Sequence, residues 1–237
     1  MKGFYLFIAV LVLFSCKKDV SIQEVSMKED VYFLADDARE GRETGSEKER
    51  QSADYLAERF RNLGLKPKGV NGYLQPFIFK PKTNPHGEAT YLVNKEDSTI
   101  TGLNVIALID NKAANTIIIG AHYDHLGFGG EGSLFRGEEL EIHNGADDNA
   151  SGVAVMLNLA NRLKDKNPNN NYLFIAFSGE EMGLLGSNYF VKNPTIDTKK
   201  VNYMINMDMV GRLKEDKTLA VYGVGTSPKF KQTLFAN

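Results

Sequence analysis

Apolar residues along the chain recur with two periods, and each period predicts one kind of element. Short, nearly continuous apolar runs rich in Ile, Val, Leu and Phe are typical of strands buried on both faces. Such runs occur at residues 74–79, 103–109, 116–120, 172–177, 201–207 and 219–222. Apolar residues at helical spacing predict helices over residues 46–63, 152–164 and 182–191. This alternation predicts an α/β fold, a three-layer α/β/α sandwich around a twisted, mostly parallel (mixed) sheet.

The predicted helix at 46–63 carries signals at both ends. Ser46 and Glu49 fit a capping box, in which each residue satisfies a free backbone N–H at the helix start. Gly64 then supplies the residue that commonly ends a helix. Towards the other end of the chain, Ser227 and Pro228 open a further predicted helix that runs to the final residues.

The first residues have the features of an export signal. A basic residue precedes eleven apolar residues at 4–14, which is shorter than the roughly 20 that a membrane-spanning helix needs. The run ends at Cys16, in a pattern that resembles a bacterial lipobox. We therefore expect a signal peptide at 1–15, a lipidated tether at 16–26, and a cell-envelope lipoprotein held at a membrane by Cys16. A plain signal peptide and a buried N-terminal helix are the alternatives.

Composition and charge narrow the classes of function. Of 237 residues, 42% are hydrophobic and 24% charged, which excludes a disordered chain. Lys and Arg number 28 against 30 Asp and Glu, so no basic surplus indicates a nucleic-acid partner. One Cys excludes an internal disulfide framework, and with four His any metal site must rely on carboxylates.

Ligand sites in open α/β sheets lie at the carboxyl ends of strands, so polar residues that follow predicted strands are the candidates. His122 and Asp124 follow the 116–120 run and share a face at their i, i+2 spacing. A metal-bound His often donates its other ring N–H to a carboxylate, for which Asp124 is suitably near. Alone, the pair also fits ordinary polar surface structure.

Three further acidic motifs precede or follow predicted elements. NGADDNASG carries Asp147 and Asp148 just before a helix, where Asp147 alone fits a helix cap. Glu180 and Glu181 directly follow the 172–177 strand, whereas the same pair at 138–139 lies in a polar loop and is interpreted as solvated.

The 201–207 strand ends at a fourth motif, whose carboxylate is Asp208. A cluster of carboxylates with one imidazole at successive strand ends suits two divalent ions better than a closed structural site, which prefers Cys and His. Its members are His122, Asp148, Glu180, Glu181 and Asp208.

The motifs HYDHLG, NGADDNASG, FSGEEMGLLGS and NMDMVGR together resemble the motif series of the co-catalytic zinc exopeptidases. That family includes bacterial leucyl-type aminopeptidases, glutamate carboxypeptidases and, more distantly, glutaminyl cyclases. GRETGS and the helix after it also look like the family's N-terminal region. The resemblance implies a zinc exopeptidase domain over residues 27–237, with a peptide as its substrate.

The resemblance also implies a role for each residue. His122 and Asp208 would bind one zinc, Asp148 would bridge two, and Glu181 would bind the other. The catalytic residues would be Glu180, the general base, and Asp124, which orients His122.

One family ligand has no counterpart here. The pattern ends with a second His well downstream of Asp208, and this chain has no His after His143. We therefore expect a C-terminally truncated domain, whose complete form holds two Zn²⁺. The second site lacks its His, so this chain should bind at most about one zinc tightly and have poor activity.

A metallo-exopeptidase of the aminopeptidase type is the leading interpretation. A glutaminyl-cyclase-like acyltransferase with one zinc is an alternative, and a metal-free receptor-like binding domain is another that the intact carboxylates disfavour. His125 and His143 are interpreted as either site-lining or ordinary loop residues. Arg42 either shapes the pocket entrance or forms a helix-end salt bridge.

Overall fold

A computed structural model describes residues 26–81, 98–129 and 132–234. The strands are β1 Lys66–Pro67, β2 Leu74–Phe79, β3 Ile100–Ile109, β4 Thr116–His122, β5 Asn171–Phe177 and β6 Val201–Asn206. The α-helices are α1 Met27–Leu34, α2 Glu47–Asn62, α3 Gly152–Leu163, α4 Leu185–Lys192 and α5 Pro228–Leu234. The predicted signal peptide (1–15) and Cys16 lie outside the described residues.

The described strands form one sheet in the order β1-β3-β5-β4-β6, with β2 also paired to β3. Strand β4 pairs in parallel with β5 and β6. Strand β3 pairs antiparallel with β1, β2 and β5. Every described strand except β3 therefore runs in the same direction, which confirms the prediction of a mostly parallel, mixed sheet.

Helices cover both faces of this sheet. Alternate residues of β3 point to opposite faces, so Ala107 packs in one apolar cluster and Ile106 in another. The first cluster contains buried residues of α1, α2 and α3, whereas α4 contributes Phe190 to the second. Strand β4 is buried along its whole length because it is covered from both sides. The three-layer prediction is confirmed.

One predicted strand is wrong. Residues 219–222 belong to no strand, and Leu219, Val221 and Tyr222 are exposed. An apolar run becomes a strand only where a neighbouring backbone completes its hydrogen bonds, and no described strand lies beside this one. The other predicted strands are confirmed within a few residues at their ends.

Helix α4 begins three residues later than predicted. Gly183 and Leu184 have φ values of 108° and 59°, a left-handed conformation that no regular helix accommodates. Their N–H groups both donate to the carbonyl of Glu180, at 2.9 Å. This turn keeps Glu180 and Glu181 at the end of β5 instead of in the helix.

The start of α2 follows only half of the predicted capping box. The Ser46 hydroxyl accepts the N–H of Glu49 at 3.0 Å, as predicted. The Glu49 carboxylate instead accepts the N–H of Gly45 at 2.6 Å and is 1% exposed. Glu49 is thus turned into the core, while Gly64 (φ 76°) ends the helix as predicted.

In the described part of the chain, no helix combines the length and the apolar character that crossing a bilayer requires.

Candidate metal centre

The acidic and histidine motifs meet at the carboxyl ends of β4, β5 and β6. His122 is the last residue of β4, and Asp208 lies two residues beyond the end of β6. Glu181 follows β5 by four residues. Asp148 comes from a helical turn, Ala146–Ser151, that leads into α3. These strands run in parallel, so their ends place distant parts of the sequence together.

His122 is the point at which the carboxylates converge. Its Nε2 lies 3.1 Å from Oδ1 of Asp148 and 3.4 Å from Oδ1 of Asp208, and the side chain is 3% exposed. Donor atoms bound to one tetrahedral zinc at about 2.0–2.2 Å stand roughly 3.3 Å apart. The spacing and the chemistry of these donors therefore fit a zinc ion.

Glu181 lies close to both His122 and Asp148. Donor atoms of His122, Asp148 and Glu181 all lie within 4.8 Å of one another. Oε1 of Glu181 is also 2.7 Å from Nδ1 of His125. His125 therefore lines the site, the first of its two sequence interpretations.

Asp124 is fully buried beneath the cluster. Its Oδ1 is 3.6 Å from Nδ1 of His122, while its backbone carbonyl is closer to that nitrogen, at 3.2 Å. The carboxylate also accepts the hydroxyl of Thr44 at 2.9 Å and the backbone N–H groups of Glu180 and Glu181 at 3.2 and 3.4 Å. Asp124 thus links His122 to the glutamate pair.

The Ala146–Ser151 turn is fixed by Asn149, which the sequence did not single out, and by Asp147, in a role that the sequence did not predict. Asn149 is fully buried, donates to the carbonyl of Met207 at 2.9 Å and accepts the N–H of Met209 at 3.2 Å. The interpretation of Asp147 as a helix cap is wrong, because neither the turn nor α3 begins with a side-chain cap bond. Asp147 instead accepts the N–H of Gly211 at 2.8 Å. These three contacts join the turn to the loop after β6 and satisfy backbone groups of that loop.

The electrostatics are those of a site that requires positive charge. Burial lowers the pKa of His122, but the hydrogen bonds that its ring donates to Asp124, Asp148 and Asp208 outweigh it and raise that pKa to about 12. The hydrogen bond with His122 lowers the pKa of Asp148. Burial, reinforced by the neighbouring carboxylates, raises the pKa of Glu180.

Two residues with open interpretations lie nearby. His143 receives a contact from the Ser133 hydroxyl at 2.6 Å, and its ring centre is 6.5 Å from that of His125. Arg42 is fully buried and donates to backbone carbonyls, so it forms neither a pocket entrance nor a helix-end salt bridge. Its only sequence signal is the GRETGS segment.

Comparisons with known proteins agree with this arrangement. Residues 104–236 match the model of peptidase family M28. The chain is 33% identical over 189 residues to the alkaline phosphatase isozyme conversion protein of Escherichia coli. The match covers 78% of this chain and 51% of that protein. It is 38% identical over 129 residues to a probable leucine aminopeptidase of Trichophyton verrucosum. That match covers 52% of this chain and 32% of the aminopeptidase.

Solved structures share the fold. A Zn-dependent exopeptidase from Parabacteroides distasonis superposes with a TM-score of 0.60 at 21% identity, over 81% of this chain and 64% of that one. A glutaminyl cyclase of Bacteroides thetaiotaomicron, solved with N-acetylhistamine, superposes with a TM-score of 0.63 at 18% identity. The superposition covers 90% of this chain and 71% of the cyclase.

The matches to curated relatives take in about half of the Escherichia coli protein (51%) and about a third of the leucine aminopeptidase (32%). The family model spans more than half of this chain and includes the three strand ends that carry the cluster. The chain belongs to peptidase family M28.

Proposed function

We propose that the protein is a zinc-dependent metallo-exopeptidase that removes N-terminal residues from peptides. The observation that carries this proposal is the convergence of Asp148 and Asp208 on the buried Nε2 of His122, with Glu180 beside them. The carboxylates of Asp148, Asp208 and Glu180 together place negative charge at this site, and a divalent cation would offset that charge.

The donor set suggests which residues would hold metal. His122, Asp148 and Asp208 would bind one zinc, while Glu181 with Asp148 offers oxygens to a second. When bound, zinc polarises the scissile carbonyl and lowers the pKa of a bound water.

Glu180 is the residue that we assign as general base. Its carboxylate takes a proton from the attacking water and delivers it to the leaving amine. Its raised pKa, caused first by burial, moves it towards the range in which a carboxylate exchanges protons at neutral pH. The bond from its N–H to Asp124 fixes the backbone that carries it.

Sequence relatives favour the aminopeptidase over the acyltransferase. A relative 38% identical to this chain is named a probable leucine aminopeptidase, whereas the glutaminyl cyclases resemble the chain in fold at 23% identity or less. A metal-free binding domain has no use for several carboxylates gathered around a buried histidine, because neighbouring like charges repel unless a cation compensates them.

Glu180→Gln is the variant that tests the proposal. We expect it to lower turnover of aminoacyl nitroanilides by about 10²–10⁴-fold while zinc content stays unchanged. Glu139→Gln, an exposed residue of the second Glu pair, is the matched control and should keep wild-type activity. An active, zinc-loaded Glu180→Gln protein would contradict the assignment.

The same assays separate the alternatives. Cyclisation of glutaminyl peptides without nitroanilide cleavage would indicate the acyltransferase. Wild-type protein that binds no zinc would indicate the receptor-like domain.

We also propose that lipidation of Cys16 holds the enzyme at a bacterial membrane. The support is the sequence, in which the single Cys directly follows the short apolar run and Ser15. Labelled fatty acid should enter the wild-type chain, which should fractionate with membranes. Cys16→Ser should abolish the labelling; a labelled variant would refute the proposal.

A further inference from the structure

An N-terminal segment, residues 41–49, supports the metal centre without supplying a ligand. The segment lies outside residues 104–236, which match the family model. Yet it contacts the loop after β4, the turn that carries Asp148 and the residue that follows β5.

Arg42 makes the most extensive of these contacts. Its Nε donates to the carbonyl of Tyr123 at 2.7 Å, Nη1 to that of Asn144 at 2.7 Å, and Nη2 to that of Gly145 at 3.1 Å. Nη1 also donates to the carbonyl of Leu34, at the end of α1. One planar guanidinium therefore joins three separate stretches of backbone, which a single-point cation cannot do.

These acceptors flank the ligands. Tyr123 follows His122 directly, and Gly145 begins the turn that contains Asp148. The carbonyl of Gly145 also accepts the N–H of Ala150 at 3.1 Å, so the turn is closed on the group that Arg42 holds. Movement of the guanidinium would shift both ligand-bearing segments together.

Charge favours the same arrangement. Burial lowers the pKa of Arg42 to about 10, and attraction to Asp124, Asp148 and Glu181 opposes that fall. Arg42 therefore stays charged at neutral pH while it is bonded to neutral carbonyls.

Thr44 acts two residues later on a different group. Its hydroxyl donates to Oδ2 of Asp124 at 2.9 Å, and Thr44 is 4% exposed. Asp124 has its other contacts with His122 and with the backbone of Glu180 and Glu181. A hydrogen bond that fixes the Asp124 carboxylate therefore also helps to fix the positions of His122 and of the glutamate pair.

The backbone of the segment is seated tightly. The N–H of His125 donates to the carbonyl of Arg42 at 3.3 Å, and that of Gly127 donates to the carbonyl of Gly41 at 3.2 Å. A Cβ at Gly41 would lie 2.5 Å from the oxygen of Gly127 and 2.6 Å from that of His143. The segment therefore has one well-defined position against the loop after β4.

We propose that Arg42 and Thr44 are positioning residues of the metal centre: Arg42 sets the turn that carries Asp148 against His122, and Thr44 sets the carboxylate of Asp124. The inference rests on the proposed zinc centre. Loss of either contact should weaken zinc binding, because outer partners of metal ligands commonly contribute about 10–100-fold to affinity.

Zinc affinity, measured by competition with a chromophoric chelator, tests the inference in the full chain. Arg42→Lys keeps the charge but loses the fork, and we expect its affinity to fall about 10–100-fold. We expect Thr44→Val to lower the zinc affinity about tenfold. Thr44→Ser retains the hydroxyl and should bind zinc with wild-type affinity. Arg59→Lys is the matched control, because Arg59 pairs with Asp30 away from the centre.

Thermal unfolding with chelator present separates positioning from folding. Arg59→Lys should lower the unfolding temperature yet keep zinc affinity, and folded Arg42→Lys should lose affinity. Folded Arg42→Lys with affinity within twofold of wild type would overturn the inference. If Arg42→Lys does not fold, equal affinities of Thr44→Val and Thr44→Ser would overturn it. Wild-type protein that binds no zinc would instead refute the proposed function.

Discussion

At the scale of single residues, Glu49 is the side chain whose burial has the clearest energetic consequence. Its Oε1 accepts the hydroxyl of Tyr123 at 3.0 Å and that of Ser178, and its Oε2 accepts the N–H of Gly45. Burial nevertheless raises the pKa of Glu49 to about 7 from an ordinary value of 4.5, because desolvation outweighs these bonds.

This shift predicts a pH-dependent stability. The folded state binds the proton of Glu49 more tightly than the unfolded state, so the contribution is full below about pH 4.5 and is lost as pH rises through about 7. We expect the free energy of unfolding, relative to that of Glu49→Gln, to fall by about 2–3 kcal/mol between pH 5 and 8. Urea denaturation across that range measures it.

The control for this prediction is Glu47→Gln, an exposed residue of the same helix. Its pH profile should run parallel to that of the wild type. A Glu49→Gln profile that also ran parallel would mean that Glu49 titrates alike in the folded and unfolded states.

The ligand candidates and Asp124 beside them were accessible from sequence, whereas the role of Arg42 was not. His122 and Asp208 could be found because polar residues that follow apolar strands mark the ligand-binding edge of an open α/β sheet. Arg42 lies 81 positions from Tyr123, its partner, and an isolated arginine before a helix has the pattern of a surface residue. The predicted capping role of Glu49 was wrong for a similar reason, because the capping-box pattern does not reveal whether the glutamate side chain turns towards the helix start or into the core.

At the scale of elements, α1 is held to α2 by a buried ion pair. Arg59 donates to Asp30 from Nε at 2.7 Å and from Nη2 at 3.1 Å, and the hydroxyl of Tyr55 donates at 2.6 Å. Asp30 is fully buried, so its charge depends on these donors. Ring stacking of Phe33 on Tyr55, with centroids 3.8 Å apart, adds to the contact.

Asp30→Asn should therefore destabilise the fold. The substitution leaves the guanidinium of Arg59 without its charged partner, and we expect the free energy of unfolding to fall by about 3 kcal/mol. Asp54→Asn, at an exposed position of α2, should change it by less than about 0.5 kcal/mol. Chemical denaturation compares them; equal midpoints for the two variants would contradict the importance of the pair.

Elements were predictable where one local period sufficed. Strands β4 and β5 are almost continuously apolar, and α2 has a polar face, so each could be assigned from its own residues. The run at 219–222 has the same local pattern, yet a strand needs a neighbour that no short window of sequence contains. The late start of α4 likewise depends on the backbone of Gly183 and Leu184.

At the scale of the whole molecule, the ligands come from segments that are far apart in the chain. His122, Asp148 and Asp208 meet only when β4, β6 and the Ala146–Ser151 turn are in their native places. A metal that binds the folded state but not the unfolded chain stabilises the fold by mass action.

Zinc should therefore raise the unfolding temperature. At free zinc about 1,000-fold above its dissociation constant, the added stability is about 4 kcal/mol. We expect the shift to be absent in Asp148→Asn and unchanged in Asp165→Asn, an exposed control.

The donor atoms gathered around His122 also predict about one tightly bound zinc per chain, which metal analysis measures. Two tight sites, or a shift that survives Asp148→Asn, would contradict this.

The reversed direction of β3 offers a practical handle for such measurements. Because β3 runs against its neighbours, the connection at 110–115 leaves the sheet at the edge opposite the metal centre, about 20 Å away along β4. Lys112 is in that connection, and its side chain is 79% exposed. Cys16 is the single cysteine of this sequence. A chain with Lys112→Cys and Cys16→Ser would therefore accept a fluorophore or spin label at one position, far from the metal centre.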